Sequence, residues 1–216
     1  VADKNVTVDK NRYSYTKGFE GPADDYKLNS ECELVMDKYG YVIFADNVEA
    51  DGSYVYVSDA GKLQGVGGGV EVELILTDGS KVIEQLHKDS YEADGGAGIT
   101  EAQWNDPDGT NNAANKITGW FKYSMKGGKY VLKTDANIGD AKDVTDGMEI
   151  TKAGRASVQW NGGSMPANSG TTFIVKRGDT ITVYNGVRNV SDVKAKGTEA
   201  TVQIVEDDGY AKYVMI

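Results

Sequence analysis

The sequence predicts an all-β protein of short antiparallel strands. Three observations carry the prediction. Apolar residues alternate with polar ones over four to eight positions again and again, which is the period of a half-buried strand. The 27 glycines against 3 prolines, with 13 tyrosines, suit strands joined by tight turns. Finally, one hairpin pattern occurs twice. Glu33-Leu-Val-Met-Asp-Lys-Tyr-Gly-Tyr-Val-Ile-Phe-Ala45 is echoed by Val202-Gln-Ile-Val-Glu-Asp-Asp-Gly-Tyr-Ala-Lys-Tyr-Val214, each an apolar run, an acidic turn closing in Gly-Tyr, and a second run. Glycine there supplies the positive φ that a tight hairpin needs.

In chain order the alternation places strands at Val6–Val8, Arg12–Tyr15, Glu33–Met36, Tyr41–Ala45, Ser53–Val57, Val70–Leu76 and Lys81–Leu86. Asp78-Gly79 between the last two is a strong hairpin signal. Gly119–Met125 and Lys129–Lys133 flank Gly127-Gly128 in the same way, followed by Ala156–Trp160, Thr171–Val175, Thr180–Tyr184 and the closing hairpin. So many short strands fit a barrel-like or sandwich domain better than one open sheet. We read residues 1–50 as a small β-hairpin module and 51–216 as the barrel or sandwich domain, interrupted by a polar insertion at 88–116 with neither apolar period. That insertion reads as a long loop anchored by Trp104, and 160–170 as a connecting loop. Tyr13 with Tyr15, and Tyr54 with Tyr56, each two apart on one face, read as a core edge, with a sugar-stacking platform as the rival.

Charge narrows the function. With 33 acidic and 23 basic residues the net charge is −10, and the lysines and arginines are scattered singly, so nucleic acid is not an expected partner. No run of about 18 apolar residues exists to span a membrane. The single Cys32, between Glu31 and Glu33, cannot form an internal disulfide and reads as a structural thiol. The lone His87 has no nucleophile elbow or metalloprotease helix beside it, and paired carboxylates cannot be assigned from spacing, so the chain is read as not an enzyme. Gly65–Gly69 is followed by a strand where a phosphate loop needs a helix, and reads as a turn.

The densest set of oxygen ligands is Asp106-Pro-Asp108-Gly-Thr-Asn111. Calcium at Asp106 and Asp108 competes there with a plain Asx-turn loop. The loop reading is favoured because glycine stands fourth, not sixth, and no glutamate follows as a bidentate ligand. No other cofactor is expected. The tryptophans Trp104, Trp120 and Trp160 are the candidate ligand-binding residues if the protein binds a glycan or host protein.

Val35–Ile43, Leu74–Ser80, Gly119–Tyr123 with Gly128–Leu132, and Asp208–Val214, in that order, resemble the β-rich repeat regions of bacterial surface proteins that carry S-layer homology modules elsewhere. The S-layer homology module itself is absent from these residues. The resemblance implies an extracellular, cell-wall-associated segment of a longer protein, with a non-catalytic structural or spacer role and neighbouring domains of the same polypeptide as partners. An adhesin module using exposed aromatics near 88–116, such as Trp104, Trp120 or Trp160, is the alternative.

Overall fold

The structure, a computed structural model, describes residues 5–8, 11–17, 32–47, 54–64, 68–92, 98–126, 128–144, 147–152, 154–190, 194–195 and 201–216. It is all-β, with 54% of the described residues in strands and 7% in helices. The chain divides into two compact units, Val1–Ser53 with Met125–Gly128, and Tyr54–Ser124 with Lys129–Ile216.

Unit 1 holds two hairpins, β1 (Asn5–Val8) with β2 (Asn11–Ser14), and β3 (Cys32–Met36) with β4 (Val42–Asn47). A parallel bridge between Tyr15 and Val42 links them. The backbone of Cys32 opens β3, while its side chain lies outside the described residues.

Unit 2 runs through β5 (Tyr54–Lys62), β6 (Val70–Ile75), β7 (Lys81–Gln85), α1 (Asp89–Glu92), α2 (Glu101–Asn105), a 3-10 turn at Ala113–Asn115, β8 (Gly119–Lys126) and β9 (Lys129–Lys133). It continues with β10 (Lys142–Asp143), β11 (Met148–Thr151), β12 (Ser157–Trp160), β13 (Gly163–Pro166), β14 (Thr172–Arg177), β15 (Thr180–Asn185), β16 (Lys194–Ala195), β17 (Thr201–Asp207) and β18 (Tyr210–Met215). Three sheets result, ordered β7-β6-β5-β8-β9, β10-β17-β18-β14-β15 and β13-β12-β11-β16. The first curls until its edges meet at one parallel bridge, Leu86 to Tyr130, with the His87 N–H donating to the Tyr130 carbonyl at 2.8 Å. None of the sheets closes into a barrel.

Consecutive apolar residues explain how the sheets stack. In a strand, neighbours point to opposite faces, so two adjacent buried residues require both faces to be covered. Leu74, Phe121, Val55 and Val57 enter one core with Val72, Ile117 and Leu132, whereas Ile75, Trp120 and Tyr54 enter a second cluster on the other face. Ile174, Val205 and Met215 approach that second cluster from the middle sheet. Their neighbours Phe173, Ile204 and Val214 turn away into a third core against Met148, Ile150 and Val158 of the last sheet. The result is a stack in which the first and middle sheets share a central cluster. Burial of each large side chain is worth about 1.5–3 kcal/mol.

The 88–116 segment departs from the loop expected of it. Besides the two short helices and the 3-10 turn, it is stitched onto β9: the Ser90 hydroxyl, fully buried, accepts from the Leu132 N–H at 3.1 Å, and the Gly98 N–H donates to the Leu132 carbonyl at 3.1 Å. Thr100 and Gln103 form a capping box that starts α2, each side chain accepting from the other's backbone N–H. Trp104 half-buries against Tyr91, ring centroids 4.6 Å apart, and packs on the first core. The 160–170 stretch is also more than a connection, because β13 pairs with β12. It is an edge strand, which tolerates Pro166 and its missing N–H.

The two Gly-Tyr hairpins share a bulge but differ at the tip. Asp208 and Gly209 both have positive φ, 52° and 79°, making a two-residue turn. In the first hairpin only Gly40 does, at 85°, and the Asp37 carboxylate accepts from the N–H groups of Tyr39 and Tyr41 at 2.8 and 3.0 Å. Aspartate tolerates the left-handed region and tyrosine does not, so Tyr39 forces the longer turn.

A β-carbon on Gly98 would lie 2.5 Å from the Leu132 carbonyl carbon and oxygen. Gly98→Ala is therefore expected to cost more than about 2 kcal/mol in urea unfolding of unit 2, whereas Gly128→Ala, with open space around it, bears only the strain of its positive φ. Equal effects would contradict the stitching of 88–116 to β9.

Candidate functional site

A shallow cleft of about 290 Å³ lies at the rim of the central cluster, lined by Trp120, Thr134, Asp135, Ile138, Asp140 and Gln203, among others. Three elements build it, β17 supplying Gln203. β8 delivers Trp120, and the Thr134–Ala141 segment runs beside β17 through the Gly139 N–H to the Ile204 carbonyl at 2.9 Å and the Glu206 N–H to the Asn137 carbonyl at 2.8 Å.

Gln203 holds the cleft together. Its Oε1 accepts from the Trp120 backbone N–H at 2.9 Å, its own carbonyl accepts from the indole Nε1–H at 3.2 Å, and its Nε2 donates to the Gly139 carbonyl at 3.1 Å. Gly119, with φ at 110°, makes room, because a β-carbon there would stand 2.7 Å from Gln203 Oε1. The Trp120 ring meets Tyr56 edge-on at 5.5 Å and 82° and Tyr213 at 5.7 Å, while Tyr54 lies 5.9 Å from Tyr213. Such ring pairs contribute about 0.5–1.5 kcal/mol each beyond burial. Burial raises the hydroxyl pKa of both Tyr54 and Tyr56 above the usual tyrosine value. At the rim, Asp135 Oδ1 accepts from the Asn137 N–H at 2.8 Å, and Asp140 lies 3.5 Å from the Lys142 ammonium.

The three tryptophans are not brought together. Trp120 is 2% exposed at the centre of the junction, which corrects its reading as an exposed aromatic: a tryptophan beside phenylalanine on a doubly covered strand is buried. Trp104 and Trp160 are half-buried against two other cores. Trp160 lies over Gly163, whose β-carbon would come within 2.9 Å of the ring. The Tyr54–Tyr56 stripe faces the junction.

Asp106 points inward at 6% exposure. Its carboxylate accepts from the Asn111 and Asn112 backbone N–H groups and from the Asn111 and Asn115 amides, at 2.8–3.1 Å. Asp108 is exposed and accepts from the Thr110 N–H at 3.1 Å. These are Asx-turn contacts that organise the loop. Among the described residues no group of three or more His, Cys, Asp or Glu is placed to hold a metal ion. His87 Nδ1 accepts from the Asp89 N–H at 3.2 Å, at the start of α1. No described helix is long and apolar enough to cross a membrane. The Gln203 clamp was not legible as a site, since a lone glutamine in a strand carries no local signal.

The Asn111 N–H, more than any other cause, holds the Asp106 carboxyl below the usual aspartate value, with the Asn112 N–H adding to it against the opposing effect of desolvation. A depressed folded value stabilises the protein above the unfolded pKa, about 3.9, and the contribution disappears as pH falls through the folded value. Asp106→Asn is expected to lower the melting temperature by several degrees at pH 7, with the gap to the parent closing below about pH 4. A gap that does not change with pH would show that the carboxylate charge is irrelevant to the loop.

No family model, curated protein or solved structure matches the chain.

Proposed function

We propose that the chain is a non-catalytic structural segment of an extracellular, wall-associated bacterial surface protein, spacing and presenting the domains beside it. The observation that supports this reading is the meeting of two strands. Tyr54 opens β5, Tyr213 lies three residues before Ile216, and their rings are 5.9 Å apart. β5 and β18 therefore meet at the central cluster, which ties unit 2 into one block. Its consecutive apolar residues are spent on stacking three sheets, which makes a stiff block, and the net charge of −10 keeps closely spaced copies from associating. The extracellular setting rests on the resemblance to surface-protein repeats.

The alternative is a glycan- or host-protein-binding module using the half-buried Trp104 beside 88–116. One experiment separates the two. Antibody raised against the purified chain is expected to label intact cells of the source organism, and the chain is expected to show no retention on immobilised glycans. Labelling only after lysis would overturn the surface assignment, and retention abolished by Trp104→Ala would replace the spacer with the adhesin.

A further inference from the structure

The two units share more than one hairpin. β1–β2 pairs Asn5 with Ser14 through Val8 with Asn11, and β14–β15 pairs Ile174 with Val183 through Arg177 with Thr180. Every residue of the first set lies 169 positions before its counterpart, as Tyr15 does before Tyr184 and Gly40 before Gly209. The second hairpins agree in finer detail. β3–β4 pairs Val35 with Phe44 and then slips to Met36 with Val42. β17–β18 pairs Val205 with Tyr213 and then slips to Glu206 with Ala211. The bulge falls at the same step, and the longer first turn absorbs the single-residue difference in spacing. Two hairpin registers and one bulge coincide in the same chain order, although few side chains are identical and the hairpins are joined differently: Tyr15, the counterpart of Tyr184 on β15, bridges Val42 in unit 1, whereas β14 pairs with β18 in unit 2. Bulges re-aim strands and are specific features of a sheet, so a shared one is a strong structural marker.

The counterparts differ in what covers them. Val205 is fully buried in the central cluster with Tyr54, Ile75 and Trp120, and Ile204 is 7% exposed. Val35, at the position of Val205, is 41% exposed, and Leu34, at that of Ile204, is only half-buried. Val42 and Ala211, by contrast, are both buried. The Val35 face that unit 1 leaves open is the one that unit 2 covers at Val205 with its own first sheet, while Leu34 lies on the opposite face, whose counterpart Ile204 packs against the last sheet.

We propose that β1–β4 are the closing half of a module of the same kind as unit 2, and that the counterpart of β5–β13, carried earlier in the same polypeptide, packs on the Val35 face of β3–β4. A 169-residue repeat leaves roughly 120 residues for that partner segment. By the chemistry of the existing junction it presents aromatic and branched side chains, as Tyr54, Trp120 and Ile75 do to Val205.

The test is amide hydrogen exchange on two proteins: the 216-residue chain, and the same chain with the preceding roughly 120 residues of its own reading frame. In the first, amides of β3–β4 are expected to exchange at least about 100-fold faster than those of β17–β18. In the second they slow by a comparable factor, and Val35→Asp abolishes that slowing while leaving unit 2 protected. An upstream frame that is missing or lacks the strand pattern of 48–169 overturns the proposal. So does slow exchange of β3–β4 in the 216-residue chain, including protection that grows with protein concentration, which would make a second copy the occupant.

Discussion

The three hydrogen bonds around Gln203 are the constraint on which unit 2 depends. One residue of β17 reaches the backbone and indole of Trp120 on β8 and the carbonyl of Gly139 on the segment between them. The clamp gives direction to a cluster whose apolar contact is non-directional and fixes no register between layers. A buried backbone donor such as the Trp120 N–H also needs an acceptor, and the adjoining strand supplies a side chain for it. The absence of a β-carbon at Gly119 follows directly, because any side chain would displace the Gln203 amide.

Stacking on both faces has a consequence for the sequence. A sheet with one wet face alternates apolar and polar residues, whereas Phe173-Ile174-Val175 and Trp120-Phe121 do not. Each such run marks a strand that serves two cores, and the strands that do so (β5, β6, β8, β14, β17, β18) are those that meet at the junction. The edge strand β15 keeps the ordinary pattern, alternating exposed and half-buried residues from Thr180 to Val183. The same logic gives the open face of β3–β4 its meaning, since its sequence is written for cover that its counterpart receives.

Much of the fold was legible. Each expected strand falls on a described one, because alternation and Asp-Gly or Gly-Gly corners are local signals, although β5 runs five residues past its expected end and β11 was not anticipated. What escaped depends on partners distant in the chain. Gly163-Ser-Met-Pro166 has poor strand propensity and becomes β13 because β12 offers it an edge. β10 and β16 are two residues each and exist through β17 and β11. The helices of 88–116 were hidden by their brevity, although Thr100-x-x-Gln103 is a readable capping box. Trp120 was taken as exposed because sequence shows that a strand has two faces, not that both are covered.

The central claim, that the Gln203–Trp120 clamp joins the first and middle sheets into one cooperative body, is tested by native-state hydrogen exchange across a denaturant series on the parent and on Gln203→Leu. In the parent, core amides of β6 and β9 and those of β14 and β18 should reach exchange through one shared opening with the same free energy and denaturant slope. In Gln203→Leu they should separate into two openings. Separate openings in the parent, or one shared opening that survives the substitution, would contradict the account.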